Sequence, residues 1–325
     1  MAWFRRSEVV IAGILMLAMI LIGLINPAFW GLDNLFSLLR SNVIIGIMAL
    51  GVLLVMISGG IDVSFPAFAV AAMYLTVKAM IALGMDGVAL PMAMATLMGM
   101  AFGCVNAVFV HNFRMIPLIV TLGTSGMVRG FLLGVVGTSM ININAMPQSL
   151  LEFAKTDIIS LSKPDGTTYG LTAMVLVYGG LALLMHLVLR YTMIGRSVYA
   201  YGGDAEAARR AGFNPAKTVF FVYAVAGALA GFAGLLHSGM IWLANPRDFV
   251  GLELDVIAAV VLGGASIFGG RGSVLGTMLG VFMLVMVKNS LIIMKVDTTW
   301  QRVAVGIIII IATALTAWRD RRRQA

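Results

Sequence analysis

Gly59-Gly60-Ile61-Asp62-Val63-Ser64-Phe65-Pro66 places a lone carboxylate between two glycines and a proline, at the end of an apolar run. The glycines can break a preceding helix, and Pro66 suits the first turn of a following one. Ser64 then stands where a hydroxyl would cap that helix. Capping and turn-making account for these residues without a ligand. Asp62 has three further roles open to it: neutralising exposed amides, contacting a substrate, or binding a basic partner residue. Other polar groups, Asn106, Thr121, Thr124, Ser125 and Arg129, interrupt apolar runs. Within a membrane such groups face a cavity or another helix rather than lipid. Arg129, Lys78 and Lys288 also have the option of extending to the interface.

The second constellation is a basic loop, residues 190–217. It reads Thr-Met-Ile-Gly195-Arg-Ser-Val-Tyr-Ala-Tyr-Gly202-Gly203-Asp204-Ala-Glu-Ala207-Ala208-Arg209-Arg210-Ala-Gly212 between Thr192 and Gly212. Asp204 can cap a short helix beginning near Ala205, Arg209 and Arg210 suit its negative end, and Gly212 can stop it. A stiff surface helix carrying small residues suits insertion into a groove on another protein. A solvated basic loop is the alternative.

Other chemistries lack their residues. The dipeptide Gly-Lys never occurs, so a phosphate-binding loop of the Walker A type is absent, as is His-Glu-x-x-His. The three histidines, His111, His186 and His237, are dispersed and read as packing or loop residues rather than metal ligands. No catalytic residues and no metal site are expected, and the chain is not expected to be an enzyme. The single cysteine, Cys104, excludes an intrachain disulfide.

The elements that must position these groups are long apolar runs. The 325 residues are 61% hydrophobic and 11% charged, against about 25% charged in a soluble domain. Spans are expected at about 8–26, 42–58, 65–85, 88–110, 116–137, 171–189, 218–240, 253–268, 274–294 and 300–318. The eighth is short enough to be broken or tilted. The fold class is therefore an all-α polytopic membrane protein with about ten transmembrane helices, as one transmembrane domain over 1–325. Arg5-Arg6 precedes the first run and no small-x-small cleavage site follows, so the run reads as a retained span. With the N-terminus inside, thirteen of the 22 Lys and Arg fall on inside segments. Both termini and 190–217 are then cytoplasmic, and 138–170 is an outside loop with a possible amphipathic helix from Ser149 to Ile159. The net charge of +8 reports this topology and does not require nucleic acid. Small residues four apart, at Gly99/Gly103, Gly126/Gly130/Gly134, Gly227/Gly231 and Gly276/Gly280, favour close helix packing. Phe268-Gly-Gly-Arg-Gly-Ser273 faintly echoes the segment around Asp62, as in transporters with duplicated halves.

Four segments together resemble the permease subunits of bacterial ABC importers for monosaccharides, the ribose, xylose, arabinose and autoinducer-2 type. They are Ser58–Ser64; Ile116-Pro-Leu-Ile-Val-Thr-Leu-Gly-Thr124 with Arg129-Gly130; Gly195–Gly212; and Leu254–Gly264 through Gly269–Ser273. The resemblance implies a ten-helix fold like that of the vitamin B12 importer's membrane subunit, in a bacterial inner membrane. It implies pairing with a second permease subunit, identical or related, and contact with membrane lipid. It further implies a cytosolic ABC ATPase that binds ATP and Mg, and a periplasmic sugar-binding protein. This chain would bind no cofactor. In such permeases the loop matched by Gly195, Gly202, Gly203, Asp204, Ala207, Ala208, Arg209 and Gly212 couples to the ATPase. Asp62, Ser64, Asn106, Thr121 and Thr124 are the candidates for the pathway or a structural turn beside it. Two departures stand out. The family often continues Val-Gly-Ser where Phe65-Pro66-Ala67 stand here, and it often has Asn at Asp204. The alternative function is an ion-coupled secondary transporter of a small polar solute, which would need more intramembrane carboxylates than Asp62.

Overall fold

The computed structural model describes residues 2–163 and 166–294, together with 297, 300, 303, 306 and 307. Helices dominate, as hydrocarbon demands, because each backbone N–H and C=O must find its partner within its own segment. In chain order the elements begin with α1 (Ala2–Ile25), a 3-10 turn at Pro27–Trp30, α2 (Leu32–Ile57), α3 (Phe65–Leu83) and α4 (Ala89–His111). Next comes α5 (Pro117–Phe131), which continues through a π turn at Leu132–Val136. There follow β1 (Ile141–Asn142), a 3-10 turn at Ile143–Ala145, α6 (Gln148–Lys155), β2 (Asp157–Ser162) and β3 (Thr168–Thr172). The chain then forms α7 (Met174–Tyr191), α8 (Met193–Gly203), α9 (Ala205–Arg210), α10 (Pro215–Ile241), β4 (Leu243–Ala244), α11 (Leu252–Leu262) and α12 (Val274–Ile293).

Among the described residues seven of these are long and apolar enough to cross a membrane: α2, α3, α4, α5 with its π turn, α7, α10 and α12. The expected count of ten meets this number at three places. The first expected span is present as the 24-residue α1, whose apolar part is Ile11–Ile25. The eighth is α11, an 11-residue helix that gives way to a glycine-rich turn before α12. The tenth, 300–318, lies largely outside the described residues. The second span starts ten residues before the expected 42, at Leu32. Its polar first turns are satisfied by protein: Asn34 donates to the Phe29 carbonyl at 2.8 Å and Arg40 to the Met240 carbonyl at 2.8 Å.

The interior is built around α2, α3 and α10, while α4, α5 and α7 bury only one face. The most extensive helix pair, α4 with α10, is made by the glycines at spacing four. A Cβ at Gly99 or Gly103 would run into the Gly227 or Tyr223 carbonyl, and one at Gly227 or Gly231 into the Gly99 or Ala95 carbonyl. Gly276 and Gly280 likewise meet Gly263, just past α11, and Ala259 on α11. Gly126 and Gly130 on α5 and Gly134 in its π turn face open space.

The helix ends sort into two faces. One carries α8, α9, the 58–64 turn, the α4–α5 link and the turn between α11 and α12, and is called here the basic-loop face. The opposite hairpin face carries residues 138–173. There the expected helix from Ser149 to Ile159 ends at Lys155, and Asp157–Ser162 instead pairs antiparallel with Thr168–Thr172. Ile158 and Ile159 are β-branched and suit the strand better than a helix end. Lys163-Pro164-Asp165-Gly166 suits a turn in this loop, and its Pro164 and Asp165 lie outside the described residues. β1 pairs with β4, tying this region to the end of α10.

Candidate functional site

The Asp62 segment folds as the glycines require. Gly59 adopts φ +85°, and the Gly59 and Gly60 amides close back onto the Met56 and Val55 carbonyls, ending α2. Residues 61–64 then run inward rather than outward. Asp62 is 3% exposed. Its Oδ1 accepts from the Ser64 amide at 2.7 Å and from the Ser64 hydroxyl at 2.6 Å. Ser64 in turn accepts from Asn106 Nδ2 at 2.9 Å, and Asn106 Oδ1 accepts from the Thr124 hydroxyl at 2.8 Å. Thr121 holds the same turn by its backbone: its hydroxyl lies 3.3 Å from both the Val63 amide and the Ile61 carbonyl.

All five residues chosen from sequence for the pathway or a structural turn thus meet in one buried network. It ties the start of α3 to α4 and α5. Ser64 differs from its expected role. It stands immediately before α3, yet its side chain makes no capping bond, because Asp62 and Asn106 take both of the hydroxyl's functions. Such a chain of paired groups fixes geometry more readily than it receives a ligand, since its members are already satisfied. The three charges that could have extended to the interface also have protein partners. Lys78 donates to the Val136 carbonyl at 2.8 Å, Arg129 lies 3.4 Å from the Asp248 and Phe249 carbonyls, and Lys288 pairs with Asp255.

The second constellation holds two helices where one was expected. In α9, Asp204 caps the start, accepting from the Glu206 and Ala207 amides at 2.9 Å each. Arg209 and Arg210 reach back to Glu206 at 2.8 and 3.5 Å, and Arg209 holds the Glu206 carboxyl below its ordinary range. Gly212, at φ +88°, ends the element, and the Phe213 amide returns to the Ala208 carbonyl. The preceding α8 was missed in sequence because Gly195, Gly202 and Gly203 read as loop punctuation. Thr192 caps it, accepting from the Gly195 amide at 3.1 Å, and this threonine was the available signal.

The eight candidate residues of this loop divide by direction. Gly203, Asp204, Ala207, Arg209 and Gly212 are exposed, whereas Gly195 and Ala208 are buried and Gly202 is half-buried. A Cβ on Gly202 would strike the Ile57 carbonyl at the end of α2. α8 is anchored twice more, by Thr218 donating to Ser197 at 3.0 Å and by Tyr199 donating to the Gly272 carbonyl at 2.8 Å. Burial, with Glu8 adding to it, pushes the Tyr199 hydroxyl up to about 12, so it remains a donor. Gly269 and Gly270, the sequence echo of the Asp62 segment, lie against Gly202 and Gly59, and the Gly270 amide donates to the Ile57 carbonyl at 2.8 Å. Among the described residues no three His, Cys, Asp or Glu side chains gather as metal ligands.

Residues 34–313 match a family model described as a branched-chain amino acid transport system permease component. The chain belongs to this permease family. It is similar to the ribose import permease protein of Escherichia coli K12, 30% identical over 330 residues, covering 99% of this chain and 96% of that one. The ribose import permease of Bacillus subtilis is 33% identical over 311 residues, covering 96% and 92%. The autoinducer 2 import system permease of Yersinia pseudotuberculosis is 30% identical over 295 residues, covering 89% and 79%. No solved structure matches. The permease is a multi-pass membrane protein, and both of its constellations fall within the matched residues.

Proposed function

We propose that this permease is the membrane subunit of an ATP-driven importer for a monosaccharide or related polyol in the bacterial inner membrane. The observation that carries the reading is similarity along nearly the whole chain to ribose import permeases, together with α9, an exposed, capped helix suited to docking. In this reading the chain has ten spans arranged as in the vitamin B12 importer's subunit. Both termini and the 190–217 face are cytoplasmic, and 138–170 meets the binding protein outside. A second permease, identical or related, completes the pathway. The open glycine face of α5, at Gly126, Gly130 and Gly134, is the surface offered to the pathway or to that second subunit.

The anchoring of α8 supplies a mechanical route. ATP and Mg bind in the separate ATPase, whose closure moves α9. Because α8 touches Ile57 through Gly202 and the 263–272 turn through Tyr199, a shift of α8 reaches the Gly59 turn. Asp62 and its partners then pass it to α3, α4 and α5 as one unit. Alternating access results if this unit, with α10 packed on α4, has two positions relative to the second permease subunit. The test is reconstitution. Vesicles holding the permease, its ATPase and its binding protein accumulate sugar on ATP addition, and a hydrolysis-dead ATPase abolishes this. Proton- or sodium-driven accumulation by the permease alone would overturn the proposal.

Coupling makes a separable prediction. Ala207→Glu, on the exposed side of α9, leaves a folded permease that no longer retains the ATPase. Ala208→Glu instead lowers folded yield, because this side chain is 4% exposed and a buried unpaired carboxylate costs several kcal/mol, roughly 3–5. Pull-down on tagged ATPase and size-exclusion profiles separate the two. Equal ATPase retention by Ala207→Glu and the unmodified chain would leave α9 an ordinary solvated surface.

A further inference from the structure

On the basic-loop face a cavity of about 1030 Å³ opens between α9, the α4–α5 link, the Gly59-Gly60 turn and the start of α10. Its size falls at the upper end of small-molecule sites. His111, Arg114 and Arg209 line it, against one acid, Glu206. Glu206 is already engaged by Arg209 and Arg210, so the cavity's surplus charge is positive. No described acidic group pairs with Arg114, whose backbone sits at φ +52°, a costly conformation for a residue other than glycine. Such strain is characteristic of side chains held in place for a purpose.

Two longer helices, α5 and α10, also begin at the cavity through Pro117 and through Asn214, Pro215 and Ala216. Their positive ends favour an anion. An independent observation comes from Tyr223. It lines the cavity beside Gly60, is 2% exposed, and its buried hydroxyl has no hydrogen-bond partner. The hydroxyl stands 2.9 Å from where a side chain on Gly60 would begin. Buried hydroxyls are ordinarily paired, so this one is a donor awaiting an acceptor.

We infer that this cavity binds a soluble phosphate monoester, and that occupancy inhibits transport. Arg114 grips the phosphate, the positive ends of α5 and α10 favour its charge, the Tyr223 hydroxyl supplies a further donor, and Tyr201 flanks the carbon skeleton. The bound ligand bridges the Arg114 turn and α9, so it holds α9 against the body of the permease and resists the movement that drives the cycle. The effect on transport rests on the importer reading above; the binding does not.

The test uses the permease with its ATPase in phosphatidylcholine nanodiscs and vesicles, probed with ribose 5-phosphate, inorganic phosphate and ribose. Ribose 5-phosphate binds by calorimetry, inorganic phosphate competes with it, and ribose does neither. Ribose 5-phosphate inside the vesicles, at the 190–217 face, slows ATP-driven uptake. Arg114→Gln weakens binding by about tenfold or more, as loss of a charge-assisted contact does, and leaves uptake without phosphate unchanged. Tyr223→Phe weakens it several-fold and keeps the ring. Equal competition by ribose would assign the cavity to the cargo's own path and overturn the inference. So would displacement by phosphatidylglycerol, which would assign it to lipid, or failure of Arg114→Gln to retain the ATPase, which would make it a protein contact. Normal uptake with no phosphate binding sinks this inference alone. Absent uptake with phosphate binding intact sinks the importer reading instead.

Discussion

Asp62→Leu abolishes transport and sharply lowers the yield of folded permease, whereas Asp62→Asn keeps most of both. One oxygen of Asp62 accepts from the amide and the hydroxyl of Ser64, and neither donor has access to water at 0% exposure. Leucine leaves both unpaired, at about 1–3 kcal/mol for each buried donor. Two such penalties are a large part of a net stability on the order of 5–15 kcal/mol. The loss then spreads, because the Ser64 hydroxyl also orients Asn106, which orients Thr124. Asparagine retains the accepting oxygen, so the chain from Asp62 to Thr124 survives. The comparison is made by sugar uptake in reconstituted vesicles alongside monodispersity on size exclusion. Equal loss of uptake in the two variants, with both well folded, would show that the negative charge itself is needed, and a charge pair or substrate contact would replace the turn.

Much of that network was legible residue by residue and not as a network. Asp62, Asn106, Thr121 and Thr124 stood out because a polar group within an apolar run must find a partner. Which partner it finds depends on where α4 and α5 cross the 58–64 turn, and spacing along the chain carries no such information. Ser64 illustrates the limit. Local rules put it at the head of α3, where it stands, and assigned its hydroxyl to the helix start. The carboxylate two residues away and the amide of Asn106 outcompeted that local use.

The same distinction separates α9 from α8. Asp204, Arg209 and Gly212 act within one short element, so its cap, charge pairing and stop followed from sequence. Two glycines of α8 serve the backbone of other elements: Gly195 lies on Val188 and Leu189 at the end of α7, and Gly202 on Ile57 and Gly270, far along the chain. A glycine demanded by the approach of another backbone looks, in sequence, like a glycine demanded by a turn. Sidedness within α9 was equally hidden, which is why Ala208 joined the exposed candidates although it points inward. The early start of α2 was not legible either, because the polar Asn34 and Arg40 are satisfied by the nearby Phe29 carbonyl and the distant Met240 carbonyl.

The glycines at spacing four carry the second large expected effect, and they divide into two kinds. Gly227→Val should destroy the folded permease. A Cβ at Gly227 would meet the Gly99 carbonyl and the backbone of Gly103, and backbone cannot swing aside as a side-chain tip can. Overpacking ordinarily costs about 1–3 kcal/mol where side chains can yield. Forcing α4 and α10 apart opens the most extensive helix contact in the molecule, so more than about 4 kcal/mol is expected. A Cβ at Gly126 meets nothing within 4 Å, so Gly126→Val should leave the isolated chain folded. Its effect should fall on uptake alone, because an added side chain on that open face of α5 obstructs whatever the face meets in the assembled transporter. Thermal unfolding followed by fluorescence size exclusion, with uptake measured on the folded fraction, distinguishes the two. A well-folded Gly227→Val would refute the close α4–α10 crossing. Full uptake by Gly126→Val would place α5's glycine face against lipid, and the pathway and the second subunit would then lie on another side of the permease.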